Sequence, residues 1–488
     1  DTCAQIALPA ILIRLLDAVI RRGELSKNEH SQLCQLRSTL CERFVLSFKA
    51  LNESDPLQTK YCLFFSLALS MLARDYRTGI AGTRDLIKCA GYAQQCINGE
   101  KKLNIPKADG YLQVALCLNA RMEDMLNVTD TKMNGTLPFS SQLADAVREA
   151  VRDYHEGSMY KRDEAVRTFR RNLFPRWKPS LGNVLACCDI FQIILEAAYE
   201  KYVSAANQNN QNYQEIARLG YVSKAYLVLA AIGTSGGALN LLAQMLINQA
   251  NQYEADQRIP FFRRHPDIGT FVQQHAAPYG WPLNDNYALA YRVLQIVCGI
   301  QRGSQPYSHM KKAELVLKGY VSESSSTQLT SLNIAINGGL AMGHYWKGRL
   351  LLEQAKQDHD RCNDYKDAAI ASFCATNVTE RFDHLPENAD EDAAPQLSPP
   401  QWLSAIELLR YPDREVFRVD RRMVFQTIYQ KLTQQVEEVQ SDRIQIHNER
   451  YRLTKKDVRS NMERCLDMVK VQFPDKEPLI QEMIRSIR

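Results

Sequence analysis

The chain has 488 residues, with 45% hydrophobic and 24% charged, which suits a soluble globular protein of roughly two to three domains and excludes a collagen-like, mostly disordered or disulfide-stapled chain. Lys plus Arg number 60 against 55 Asp plus Glu, and a net charge of +5 does not by itself indicate a nucleic-acid partner. The 13 cysteines are scattered, without a CxxC pair, and read as reduced, buried thiols of a cytosolic or nuclear compartment.

From the N-terminus, the apolar run Ile6 to Ile20 carries Arg14 and Asp17 and lacks a basic leader, so it reads as an amphipathic arm over 1–25 rather than a signal peptide. Since no stretch of about 18 apolar residues is free of charge, no membrane span is expected. Helical spacing of apolar residues then recurs at 58–74, 110–125, 183–202, 221–232, 238–250 and 287–300. Short β content fits only near 135–140. Gly233-Thr-Ser-Gly-Gly237 interrupts the helical pattern and predicts a hinge between an N-terminal lobe, 26–234, and a C-terminal lobe, 235–424. Tyr154…Gly157…Ala165…Phe169 and Tyr345…Gly348…Ala369…Phe373 have a helix-turn-helix texture of the Sel1 or tetratricopeptide kind, though no fixed period recurs. Residues 387–401 are acidic and proline-rich and predict a mobile loop. A charged helix over about 420–450 bears the stripe Val424, Ile428, Leu432, Val436 and Val439. It opens a C-terminal arm, 425–488, that docks on its own body or on a neighbour. The expected class is all-α.

Charge concentrates at 160–178, where seven basic side chains (Lys161, Arg162, Arg167, Arg170, Arg171, Arg176, Lys178) face two acidic ones. On a helix Arg167, Arg170 and Arg171 point one way, and Phe169, Phe174 and Trp177 interleave them. The planar guanidinium fork suits phosphate oxygens, and neutralising phosphates releases counterions whatever the base sequence. A solvated helix face is the plainer reading of such a run. Smaller basic points are Arg218 and Lys224, Arg263-Arg264, Arg302, Lys311-Lys312 and Arg421-Arg422. No Walker loop, GxSxG or HExxH occurs, and no nucleophile has a visible base, so the chain does not read as an enzyme. Asp358-His-Asp-Arg-Cys362 with Asp364 fits a polar helix end better than a zinc site, and His155-Glu156 reads as another helix end. No cofactor is expected.

Several segments, in order between about 155 and 415, resemble the nucleoproteins of negative-strand RNA viruses, nearest to the rhabdovirus kind. They are Tyr160-Lys161 followed by Arg167, then Trp177 with Pro179, then Leu185-Ala186, Asp189-Ile-Phe191, Glu196 and Tyr199. Ala277-Pro278-Tyr279 is similar to the family's Ser-Pro-Tyr, and a long apolar helix then ends in Arg302. Leu317-Lys-Gly-Tyr-Val-Ser-Glu323 resembles the family's Leu-Gly-Gly-Tyr-Leu-Gly-Glu, and the acidic loop falls where the family carries one. Arg264-His-Pro-Asp267 is similar to a tetrapeptide of bornavirus nucleoproteins. There are departures. Ala276 stands where the family has Lys, so that phosphate contact is lost or passes to His275, and Gly280 and Trp281 replace serines. Residues 1–100 have no counterpart.

The resemblance implies two helical lobes clamping an RNA groove, with N- and C-terminal exchange arms linking copies into a helical nucleocapsid that serves as polymerase template. Together with the charge pattern it implies RNA contacts from Lys161, Arg162, Arg167, Arg170, Arg171, Arg218, Lys224, His275, Tyr279, Arg302, Lys318 and Arg421. Binding would read backbone and not base edges. The implied partners are single-stranded RNA, further copies of the chain, a viral phosphoprotein and the polymerase. The implied location is the virion and host cytoplasm, with the nucleus left open. The alternatives are a helical-repeat interaction scaffold and a helical enzyme with an unrecognised site.

Overall fold

The computed structural model describes residues 2–22, 27–80, 82–103, 109–127, 137, 139–156, 195, 198–232, 235–256, 286–300, 306–383, 397–440 and 455–487. Among these the protein is all-α, with no strand. Residues 137, 139 and 140, in the stretch where β content was expected, are irregular. The chain clusters into two compact units, one built mainly from residues 1–244 and the other mainly from residues 302–488.

Unit 1 begins with α1 (Thr2–Arg22), α2 (Lys27–Lys49), α3 (Pro56–Thr78), α4 (Leu86–Lys102) and α5 (Asp109–Asn127). These pack largely as sequential neighbours. Asp55 starts α3 by accepting the Leu57 amide at 2.9 Å, with Pro56 in the first turn, and Gly79 ends it at φ 70°, a left-handed angle that costs glycine little. Ile6, Ala10 and Ile13 of α1 enter the same core as Phe44, Phe48, Phe64, Phe65 and Leu69. Phe48 stacks on Phe65 at 4.5 Å and Phe44 meets Phe64 edge-on at 4.9 Å. The apolar side chains alone do not decide where α1 sits. Arg37 of α2 is buried and donates to Asp17 of α1 at 2.9 Å and to both oxygens of Asp75 of α3 at 2.7 and 2.8 Å. Losing either carboxylate would strand part of that charge, so the triad pins α1 in register. The expected N-terminal arm is therefore folded onto its own unit.

After α6 (Ser141–Glu156) and a helical stretch at 198–206 come α7 (Gln211–Ile232) and α8 (Gly236–Asp256). His155-Glu156 falls at the end of α6, as the residue pattern suggests. Ser223 of α7 donates to the Ala115 carbonyl at 3.0 Å and to Asn119 at 2.8 Å, and Tyr221 donates to Asp145 at 3.1 Å. Of the expected hinge 233–237, residues 235–237 are described and 233–234 lie outside the described residues. Ser235 caps α8, accepting the Ala238 amide at 3.4 Å, and a Cβ on Gly237 would stand 2.6 Å from Leu112. The division between units falls within α8, after Gln244, and not at the glycines, because α8 starts packed on unit 1.

The helices after α8 are α9 (Asn286–Ile300), α10 (Pro306–Leu317), α11 (Ser325–Asn337), α12 (Ala341–Gln357), α13 (Cys362–Cys374), α14 (Val378–Asp383), α15 (Pro399–Leu409), α16 (Arg421–Gln440), α17 (Lys455–Gln472) and α18 (Glu477–Ser486). The Tyr345…Gly348…Ala369…Phe373 signature forms a helical hairpin of α12 and α13. Its four residues are buried, and the Phe373 ring presses so close to Gly348 that a Cβ there would stand 2.5 Å from the ring. The other copy of the texture, 154–169, lies almost wholly outside the described residues.

One boundary departs from the sequence reading. The expected loop 387–401 ends early, since Ser398 and Gln401 form a capping box and Pro399-Pro400 occupy the first turn of α15. Prolines that read as loop formers are here helix starters, where their missing N–H costs nothing. The remainder of that loop, 387–396, lies outside the described residues. Of the two dockings expected for the C-terminal arm, its described residues take their own body: Val424, Ile428, Leu432 and Val436 of α16 and Val458, Met462, Cys465 and Val469 of α17 are buried in one core with Trp346, Phe373 and Trp402.

Candidate nucleic-acid interface

Of the expected RNA-contacting residues, Lys161, Arg162, Arg167, Arg170, Arg171, His275, Tyr279 and Arg302 lie outside the described residues. The other four are placed, and each has intramolecular partners. Arg218 on α7 forks onto Glu215 at 2.6 and 2.7 Å and sends its third nitrogen to the Phe139 carbonyl at 3.1 Å. It ties the segment before α6 to α7. Lys224, two turns further along α7, is half-buried and also has a partner.

Lys318, just past α10, lies between Glu314 at 2.9 Å and Asp457 at 2.6 Å, over the Trp346 ring. Burial alone would lower its pKa, but the two carboxylates outweigh it and hold the ammonium charged. Lys311 pairs with Glu314 at 2.9 Å and Lys312 with Glu323 at 3.0 Å. This basic run is thus matched by three carboxylates. Arg421, at the start of α16, donates to the carbonyls of Leu408, Leu409 and Tyr411 and so caps α15; burial lowers its pKa. Arg218 belongs to unit 1 and Lys318 and Arg421 to unit 2.

The structure adds a basic centre that the sequence reading passed over. Glu407 of α15 is almost fully buried, its side chain 1% exposed. Three guanidiniums converge on it: Arg349 of α12 at 3.6 Å, Arg410 just past α15 at 3.3 Å, and Arg464 of α17 at 3.4 Å. Tyr345 OH accepts from Arg349 at 3.3 Å and from Arg464 at 3.0 Å. Only the Glu407–Arg410 step, three residues apart, has a signal in the sequence; Arg349 and Arg464 come from distant helices.

Asp358 accepts the Arg361 amide at 3.2 Å and closes the turn before α13. Among the described residues no three His, Cys, Asp or Glu side chains gather as a metal site. The described cysteines are free thiols, and burial pushes Cys41 and Cys465 up to about 12, far from a reactive thiolate. By length and composition one described helix, Cys3–Ile20, could cross a membrane. Its Ile6, Ala10, Ile13 and Asp17 are buried in unit 1, while Leu8, Ile11, Leu15 and Val19 are 57%, 55%, 58% and 42% exposed. Helix α1 therefore carries a second apolar face that its own unit leaves uncovered. Comparison with protein-family models, curated proteins and solved structures gave no match to this chain.

Proposed function

We propose that the chain is a nucleoprotein of the negative-strand RNA virus kind, which coats single-stranded RNA through phosphate contacts and assembles with copies of itself into a polymerase template. The observation that carries this reading is the ordered series of short segments between 155 and 415, set in an all-α chain of two compact units. The uncovered face of α1 supports self-assembly, because adjacent exposed apolar side chains on one helix favour burial against another surface. Since Arg218, Lys224, Lys318 and Arg421 already have partners within the chain, this reading assigns the RNA contacts to Lys161, Arg162, Arg167, Arg170, Arg171, His275, Tyr279 and Arg302. A phosphoprotein and the polymerase are the further partners of this reading.

The test is the 260 to 280 nm absorbance ratio of the purified protein before and after ribonuclease in high salt, which starts high and falls if RNA is bound. Replacing Arg167, Arg170 and Arg171 by Ala lowers affinity for all RNA sequences and flattens its salt dependence; an unchanged affinity rejects the assignment. Leu8→Ser, Ile11→Ser and Leu15→Ser together leave the melting temperature within a degree or so and shift the assembly toward monomer by light scattering. A second reading, a helical-repeat scaffold, is favoured by the α12–α13 hairpin with Phe373 against Gly348. It requires a low absorbance ratio throughout.

A further inference from the structure

The Arg349–Arg410–Arg464 cluster carries more charge than its structural task needs. A buried carboxylate is satisfied by one well-placed guanidinium and a few hydrogen bonds, since each fork offers several donors. Glu407 has three, which leaves two positive charges in excess around a single spot. Of the acids one helical turn or less away in sequence, Glu353 also attracts Arg349 but is itself paired with Lys356 at 2.8 Å, and Glu463 is paired with Arg459 at 3.0 Å. The excess is also reachable. The side chains of Arg349, Arg410 and Arg464 are 16%, 40% and 25% exposed. Nε and Nη2 of Arg349 and Arg410, and Nε of Arg464, bond no described residue, so donors stay open beside a fixed anchor.

We propose that the guanidiniums of Arg349, Arg410 and Arg464, held in place by Glu407 and Tyr345, form a surface site for the phosphate monoester of a phosphorylated serine or threonine on a partner polypeptide. The charge chooses the ligand. A phosphomonoester carries close to two negative charges at pH 7, with a second pKa near 6, which matches an excess of two. An RNA strand instead presents singly charged diesters in a row, and it is served by a track of cations with stacking aromatics. Here three heads share one carboxylate within 3.6 Å, which makes a point and not a track. Arginine forks also grip phosphate in a bidentate way that a lysine cannot. The site stands apart from the RNA reading: it needs none of the residues between 160 and 178.

The experiment uses the full chain, a short peptide library centred on phosphoserine, its unphosphorylated twin, inorganic phosphate and a 5′-phosphorylated oligonucleotide. The phosphorylated library binds about tenfold or more tighter than its twin, and millimolar inorganic phosphate displaces it. Affinity falls as pH drops from 7.5 to 5.5, because the phosphate takes up its second proton. Arg410→Ala, at the most exposed of the three, weakens binding about tenfold without moving the melting temperature, and the Arg167, Arg170 and Arg171 triple variant leaves it unchanged. Equal affinity for both libraries overturns the proposal, as does phosphate-sensitive binding of the oligonucleotide alone.

Discussion

Two buried glutamates, one in each unit, show what burial does to a carboxylate. Glu100 of α4 accepts from Ser66 Oγ at 2.7 Å, from the amides of Asp109 and Gly110 at 3.1 and 3.3 Å, and from Cys96 Sγ at 3.6 Å. None of these donors carries a full charge. Burial, and then Asp109 beside it, push Glu100 up to about 8. Glu314 of α10 is equally enclosed, and burial pushes it the same way, but Lys311 and Lys318 at 2.9 Å outweigh this and hold it down at about 2. Neutral dipoles only soften the desolvation of a carboxylate, whereas a touching cation reverses it.

The comparison can be broken at its strongest point first. Glu314→Gln leaves Lys311 and part of the Lys318 charge buried without an anion, and should cost about 3–5 kcal/mol by denaturant unfolding; a loss under about 1 kcal/mol would mean that water reaches these lysines. Glu100 predicts a pH slope of opposite sign. Its folded pKa is raised, so its contribution is fully present below the ordinary carboxylate value of 4.5 and is lost as pH rises through about 8. Linkage makes this about 3–5 kcal/mol at most over that window, and Glu100→Gln should flatten the slope. A variant with the same slope as the parent would clear Glu100 of the effect. Glu314, with its folded pKa depressed, contributes stability above 4.5 that is lost as pH falls toward 2. Ser66→Ala is the mildest change. It removes one donor to Glu100, costs about 1–2 kcal/mol and moves the pH midpoint of the Glu100 slope upward; an unmoved midpoint would show that the amides of α5 alone hold the carboxylate.

The helices were legible because their signal is local. Apolar residues three and four apart mark 58–74, 110–125 and 221–232, and α3, α5 and α7 cover them. Gly348 and Phe373 were legible as a hairpin for the same reason, as each lies on a helix of ordinary pattern and a short turn forces them together. Pro399-Pro400 misled because proline both breaks a helix and starts one, and only the Ser398 cap tells the two apart. The Arg218–Glu215 and Lys318–Glu314 pairs were within reach, being three and four residues apart, yet they read as free cations when basic residues alone were counted. Asp457 beside Lys318, and Arg464 beside Glu407, could not be seen at all.

The sequence by itself determined that this chain is helical, where most helices lie and which of their faces are apolar, since backbone hydrogen bonds and side-chain periodicity span only three or four residues. The tertiary structure decided which charges are spent and which remain. Asp17 is locked by Arg37, Lys318 is closed off by Asp457, and the Arg349–Arg410–Arg464 centre keeps its excess. A charge is neutralised by whatever stands within a few ångströms of it, and in a folded chain that neighbour comes from helices far away in sequence.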